Sequence, residues 1–263
     1  MSSYKVLFLD IDGTVLQDDH TIATSTKKAV QQAKAKGIEV FLATGRPLHE
    51  ISDIADSLDI HSFIGYNGAY AIYEDQVVFN QPIDSTIIEH FLQVAHQNGH
   101  EMVLYTNQLN LFTSLTPDFV QRFADYFNFQ QNFLYTDQYK QNILGITMMN
   151  VKPNETALYD LPKSDIYFSE VNVSGVDDCY DVIRENVNKG RAIKTVLERL
   201  EIEAHQAIAF GDGMNDKQML QFVGESFAMG NAHEELFQYA KHRTTSVNND
   251  GIYHGLQSLG IVP

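Results

Sequence analysis

Asp10 and Asp12 stand two residues apart at the end of an apolar run, Val6-Leu7-Phe8-Leu9, and Gly13-Thr14 follows them. Side chains at i and i+2 of an extended segment point the same way. In an open α/β sheet, ligands bind at the carboxyl ends of the strands. Both acids can therefore face one crevice, as a nucleophile and an acid/base partner around a metal ion. A fixed D-x-D-G-T arises by chance about once in 10⁵ positions. Alone it would also suit an acidic turn, since Asp and Gly are ordinary turn residues. Three further segments make the chemical reading stronger: Thr44-Gly45-Arg46, Asn188-Lys189-Gly190, and Gly211-Asp212-Gly213-Met214-Asn215-Asp216. Each follows an expected strand or opens an expected helix.

A phosphate ester would meet a coherent set of groups here. Asp10 can attack phosphorus and form an aspartyl-phosphate. Asp12 can protonate the leaving oxygen and then take a proton from the hydrolytic water. The obstacle is charge, because a carboxylate must approach an anion. Asp10, Asp12, Asp212 and Asp216 outnumber Arg46 and Lys189 by two negative charges, which one divalent cation neutralises. Mg²⁺ suits carboxylate oxygens, water and a shared substrate phosphate. Thr44, the amides near Gly45, and Asn215 can hydrogen-bond the transferring oxygens, and Lys189 can stabilise developing charge. Singly, Lys189 reads as an exposed helix residue, Arg46 as a surface ion pair and Asp216 as a helix cap. It is their joint placement after strand ends that favours a site.

The elements that must position these groups alternate. Residues 4–9 read as a strand and 25–36 as a helix, with Thr24 or Ser25 as cap and Gly37 beyond its end. Residues 38–43 read as a strand and 47–58 as a helix opened by Pro47. Residues 63–66 make a third strand leading to a tight Asn67-Gly68 turn, and 69–73 and 76–80 a hairpin across Glu74-Asp75. From about Pro82 to Asp181 no chemical motif occurs. Phe119, Phe123, Tyr126 and Phe127 have helical spacing and read as a packed face. Residues 143–149, 165–168 and 179–183 read as strands. Alternation then resumes: helix 189–200, strand 207–210, helix 217–222, strand 227–229 and helix 232–240. This pattern implies a doubly wound parallel sheet interrupted by an α+β insert. We expect a discontinuous core, 1–83 and 182–263, around an inserted domain at 84–181.

Composition narrows the function classes. A chain of 263 residues with 44% hydrophobic residues can bury a sizeable core. The net charge of −16 argues against nucleic acid and against an anionic membrane surface. The single cysteine, Cys179, precludes an internal disulfide and a thiolate zinc cluster. No apolar run is long enough to span a bilayer and no signal-like segment opens the chain, so a cytoplasmic location is expected. No feature sets an oligomeric state.

The four segments resemble those of the haloacid dehalogenase-like (HAD) phosphohydrolase superfamily, and more narrowly its Cof-type branch. Asn67-Gly68-Ala69, Ala228-Met229-Gly230-Asn231-Ala232 and Asn249-Asp250-Gly251 are similar to that branch too. The resemblance implies a Rossmann-like core, a type IIB cap in the position of the insert, and an Mg²⁺-dependent phosphatase acting on a small phosphorylated metabolite. It makes Asp10 the nucleophile and Asp12 the acid/base. It gives the metal a carboxylate oxygen of Asp10, the backbone carbonyl of Asp12 and the Asp212 carboxylate, with Asp216 at the metal or supporting it from nearby. It assigns Thr44, Gly45, Arg46, Lys189 and Asn215 to phosphate. Two alternatives are a phosphomutase of the phosphomannomutase type, which shares the cap class, and a non-catalytic binding protein, which would be expected to break one of these motifs.

Overall fold

The structure is a computed structural model that describes residues 4–162, 165–171 and 176–263. In chain order its strands are β1 Val6–Leu9, β2 Glu39–Ala43, β3 Phe63–Gly65, β4 Tyr70–Tyr73, β5 Gln76–Asn80, β6 Glu101–Tyr105, β7 Asn110–Phe112, β8 Asn132–Leu134, β9 Gly145–Met149, β10 Ile166–Glu170, β11 Tyr180–Arg184, β12 Ala207–Gly211, β13 Glu225–Ala228 and β14 His242–Arg243. The α-helices are α1 Thr24–Ala35, α2 Ser52–Leu58, α3 Ser85–Asn98, α4 Asp118–Tyr126, α5 Lys189–Arg199, α6 Lys217–Phe222 and α7 Gly251–Ser258. The chain divides into two compact units, one of residues 1–46, 51–80 and 188–263, the other of 47–50 and 81–187.

The first unit is built on an eight-stranded sheet in the order β14-β13-β12-β1-β2-β3-β4-β5. From β14 to β3 all neighbours are parallel, while β4 and β5 pair antiparallel at one edge. The apolar run at 6–9 is wholly buried because both faces of a parallel sheet are covered by helices. On one face Val6, Phe8, Phe41, Ala43, Ile64 and Ala209 pack with Ala192, Ile193, Val196 and Leu197 of α5 and with Met219 and Leu220 of α6. The next residues along each strand turn the other way. There Phe210 and Phe227 stack at 4.6 Å, and Gly255 of α7 lies so close to the Phe210 ring that a Cβ would collide with it. Strand order runs from β1 outward through β2 and β3 on one side and through β12 and β13 on the other. The β1/β12 junction is therefore the topological switch point, where open α/β sheets bind ligands.

The second unit has a six-stranded sheet in the order β10-β11-β9-β6-β7-β8, antiparallel except where β7 meets β8. One face, with Met102, Leu104, Ile146, Met148, Tyr180 and Val182, packs on Ile88, Phe91 and Ala95 of α3. The Asp84 side chain caps α3 by accepting from the Thr86 N–H at 2.8 Å. The opposite face is polar at its centre: the Tyr105 hydroxyl meets Thr147 Oγ1 at 2.9 Å, and Thr147 donates to Asp181 Oδ1 at 2.6 Å.

Some local expectations require correction. Residues 47–58 do not form one helix: a 3₁₀ turn at Leu48–Glu50 precedes α2. His49 and Glu50 are drawn to the buried Asn110, with His49 Nε2 at 3.0 Å from Asn110 Oδ1 and Glu50 Oε1 accepting from Asn110 Nδ2, and so belong to the second unit. Residues 232–240 form only a 3₁₀ turn, Glu234–Gln238. Neither Thr24 nor Ser25 caps α1; Ala23 occupies that position, with no side-chain bond. The two compact units change over at 80/81 and 187/188. Position 182 lies inside β11, which its ladders to β9 and β10 keep whole.

Candidate active site

Three strand ends meet at the switch point. Asp10 follows β1 and its N–H donates to the Phe210 carbonyl of β12 at 3.1 Å. Thr44 follows β2, and Asp212 follows β12. Asn188 caps α5, accepting from the Arg191 N–H at 3.0 Å, which leaves Lys189 as the first helical residue. A cation at a helix N-terminus opposes the macrodipole, and a lysine side chain is rarely buried. Lys189 is nonetheless fully buried, because its ammonium donates to Asp10 Oδ1 and to Asp216 Oδ1, both at 2.6 Å.

Asp216 is also fully buried, and its second oxygen, Oδ2, accepts from the backbone N–H groups of Asp212 and Gly213, both at 3.0 Å. It thus ties the 211–216 loop to Lys189. Asp212 receives Thr14 Oγ1 at 2.9 Å and Asn231 Nδ2 at 3.4 Å, and Asn231 Nδ2 also reaches the Gly13 carbonyl at 2.8 Å. Gly13 has φ of 78°, and a Cβ there would run into the Asp212 carboxylate, so glycine is required on both counts. One carboxylate oxygen from each of Asp10, Asp212 and Asp216 lies within 4.8 Å of the other two.

The remaining expected residues sit around this centre. Arg46 turns to Asp12 rather than standing alone: Nε donates to Oδ2 at 2.8 Å and a terminal nitrogen to Oδ1 at 2.5 Å. The Asp12 side chain is 54% exposed, unlike buried Asp10. Thr44 is buried and its hydroxyl oxygen accepts from the Arg46 N–H at 3.0 Å, which leaves the hydroxyl hydrogen for another acceptor. Asn215 is exposed, and its Nδ2 donates to Asn67 Oδ1 at 3.0 Å. The sequence motifs give Asn67 and Asn231 no role of their own. Asn67 carried a signal, the Asn-Gly pair, but that pair also marks an ordinary turn. Asn231 carried none beyond its family resemblance.

The model of the haloacid dehalogenase-like hydrolase family matches residues 7–256. The chain belongs to the haloacid dehalogenase-like hydrolases. It is 32% identical over 262 residues to "Putative phosphatase YkrA" of Bacillus subtilis (strain 168), covering 98% of each chain. A hypothetical protein from Geobacillus kaustophilus HTA426 superposes with a TM-score of 0.90 at 30% identity, over 98% of this chain and 100% of that one. The HAD subclass IIB sugar phosphatase BT4131 superposes with a TM-score of 0.82 at 25% identity, over 98% and 100% of the two chains. The Cof-type, subclass IIB assignment stands with these likenesses, and the protein is a phosphatase.

Electrostatics in this hydrolase follows from crowding. Burial, then Asp216, pushes the Asp10 carboxyl well above the usual carboxylate range, with Lys189 pulling the other way. Burial and Asp216 push Asp212 up to about 6, against the hydrogen bond from Thr14. Burial opposes charge on Lys189, but Asp10 and Asp216 together outweigh it and hold the lysine above its ordinary value. The donor set fits a hard divalent cation. It is all oxygen, it is partly desolvated, and its carboxylates outnumber the one buried ammonium. Among the described residues no helix is long and apolar enough to cross a membrane.

Proposed function

We propose that the protein is a Mg²⁺-dependent phosphatase that hydrolyses small phosphorylated metabolites, sugar phosphates, nucleotides or cofactor phosphates, through an aspartyl-phosphate on Asp10. The observation that carries this reading is the buried Asp10–Lys189–Asp216 cluster at the switch point, with Asp212 beside it. Lys189 holds one oxygen of Asp10, which fixes the carboxylate and leaves its other oxygen for phosphorus. Asp10 attacks, the bond to the leaving oxygen breaks, and Asp12 gives that oxygen a proton. Asp12 then takes a proton from water as the water attacks the aspartyl-phosphate and frees Asp10 and phosphate. Arg46 bonds both oxygens of Asp12, and that pair opens when Asp12 takes up the proton it delivers.

Asp10, Asp212 and the Asp12 carbonyl would hold Mg²⁺. Bound there, it would neutralise charge on the phosphoryl group. Both Asp216 oxygens are engaged by Lys189 and the loop N–H groups, so Asp216 supports the site rather than serving as a principal ligand. Thr44, the amides around Gly45, and Asn215 bind phosphate oxygens. BT4131 is described as a sugar phosphatase, which favours starting the substrate search with sugar phosphates.

A panel of phosphorylated metabolites, each assayed for phosphate release with Mg²⁺ and with chelator, tests this reading. Metal-dependent release is expected. Isomerised product with little free phosphate, appearing only on addition of a bisphosphate, would make the protein a mutase instead.

A further inference from the structure

Tyr66, Asn67 and Gly68 form a turn in which three successive residues take positive φ: 54°, 53° and 103°. Only glycine accepts that region freely, and strained backbone of this kind persists where its surroundings over-determine it, often at functional sites. The surroundings here are the catalytic segments. The Tyr66 N–H donates to the Arg46 carbonyl at 3.3 Å and the Asn67 N–H to the Thr44 carbonyl at 3.1 Å. A Cβ on Gly68 would collide with the Asn188 carbonyl, one residue before Lys189. The side chain of Asn67 completes the set. Its Oδ1 accepts from Asn215 Nδ2 at 3.0 Å, and it lies against Gly45, where an added Cβ would meet Asn67 Oδ1 at 3.0 Å. One strained turn therefore touches the loop at 44–46, the start of α5 and the loop at 211–216.

We propose that Asn67 is a positioning residue for the phosphate pocket. Asn215 Nδ2 carries two hydrogens. Asn67 Oδ1 takes one, which fixes the amide plane and aims the other at a phosphate oxygen. The same side chain packs over Gly45 and holds the amides of the 44–46 loop in place. The donors are then in position before substrate arrives, and no side-chain freedom has to be lost on binding. The strained backbone is what puts Asn67 there: an extended residue 67 could not bond to Thr44 and reach Asn215 at once. This inference rests on the reading that Asn215 and the 44–46 loop bind phosphate.

The test is calorimetric titration of inorganic phosphate into the full-length protein with Mg²⁺, with wild type, Asn67→Gly, Asn215→Ala and the double variant. Glycine removes the side chain yet keeps the positive φ, so the fold is retained and the melting temperature should fall by only ~2–4 °C. Asn67→Gly should weaken phosphate binding about 3–10-fold, as a lost positioned hydrogen bond does. The double variant should bind no more weakly than Asn215→Ala alone, because the two act as one unit. Wild-type affinity in Asn67→Gly, or losses that multiply in the double variant, would overturn the proposal while leaving the phosphate pocket intact. Absence of binding by the wild type would instead remove the pocket reading, and this inference with it.

Discussion

Replacing Lys189 by Met should be the most damaging single change outside the chemistry itself. The lysine is fully buried and, among the described residues, is the only cation bonding Asp10 and Asp216, themselves 6% and 0% exposed. In the wild type this trio carries one net negative charge; in the variant two buried carboxylates face each other with none of the ammonium's three hydrogens between them. Removing one partner of a buried pair typically costs about 3–5 kcal/mol, because the remaining charge is left desolvated. Methionine has similar length and fills the space, so the loss reports charge rather than a cavity. At about 2–4 °C per kcal/mol, melting should fall by roughly 6–20 °C. The assay is thermal melting by circular dichroism in chelator, so that metal binding does not add stability by mass action. Asp216→Asn in the Lys189→Met background removes the surplus charge and should recover part of the loss. A decrease under about 1 kcal/mol, or no recovery in the double variant, would refute the idea of a dry, coupled ion cluster.

Other substitutions separate roles within the site. Gly13→Ala and Gly37→Ala share the same backbone strain, φ of 78° and 77°, but only at residue 13 does a Cβ meet another group, Asp212. Gly37→Ala should cost about 1–2 kcal/mol of stability from the strain alone, while Gly13→Ala should cost more and also weaken Mg²⁺ binding in a titration; equal effects would separate Gly13 from the metal. Arg46→Ala should lower kcat/KM by less than Asp12→Ala, whose acid/base role is worth about 10²–10⁴-fold; an equal or larger loss would place Arg46 on the substrate phosphate. Burial raises Asp181 to about 6 against a Thr147 hydrogen bond. Its folded pKa lies above its unfolded one, so its favourable contribution is present below about pH 4 and lost as pH rises through about 6. Asp181→Asn should therefore flatten the stability profile over that window and stabilise the protein at pH 7 by up to about 3 kcal/mol. Parallel profiles would show that Asp181 is solvated.

The site was legible because strand ends and helix starts are local features. Val6 to Leu9 is an unbroken buried run, and Asn188 is a side-chain cap, so Asp10 and Lys189 could be placed from the sequence. Their meeting is a consequence of β1 pairing with β12, about 200 residues away, and resemblance rather than periodicity carried that. The second unit was less legible. Helix α3 has a clear cap in Asp84, but β7 and β8 have only three residues each, and both faces of the sheet hold buried side chains, Met102 and Leu104 on one, Asn110 and Thr147 on the other. The segment 47–50 was misread because Pro47 suits a helix start, whereas Asn110, buried elsewhere in the chain, supplies the bonds that hold His49 and Glu50 in a 3₁₀ turn. Asn67 shows the same limit: a turn-forming residue was visible, and its bond to Asn215, 148 residues away, was not.

The central claim is that Asp10 becomes phosphorylated. The direct measurement is to acid-quench the enzyme while it turns over the best substrate from the metabolite panel, reduce with borohydride, and map the product by mass spectrometry. Reduction of an aspartyl-phosphate gives homoserine, expected at position 10 in the wild type with Mg²⁺ and absent with chelator. Phosphate release by Asp10→Asn at the wild-type rate, or homoserine at another aspartate, would contradict the account.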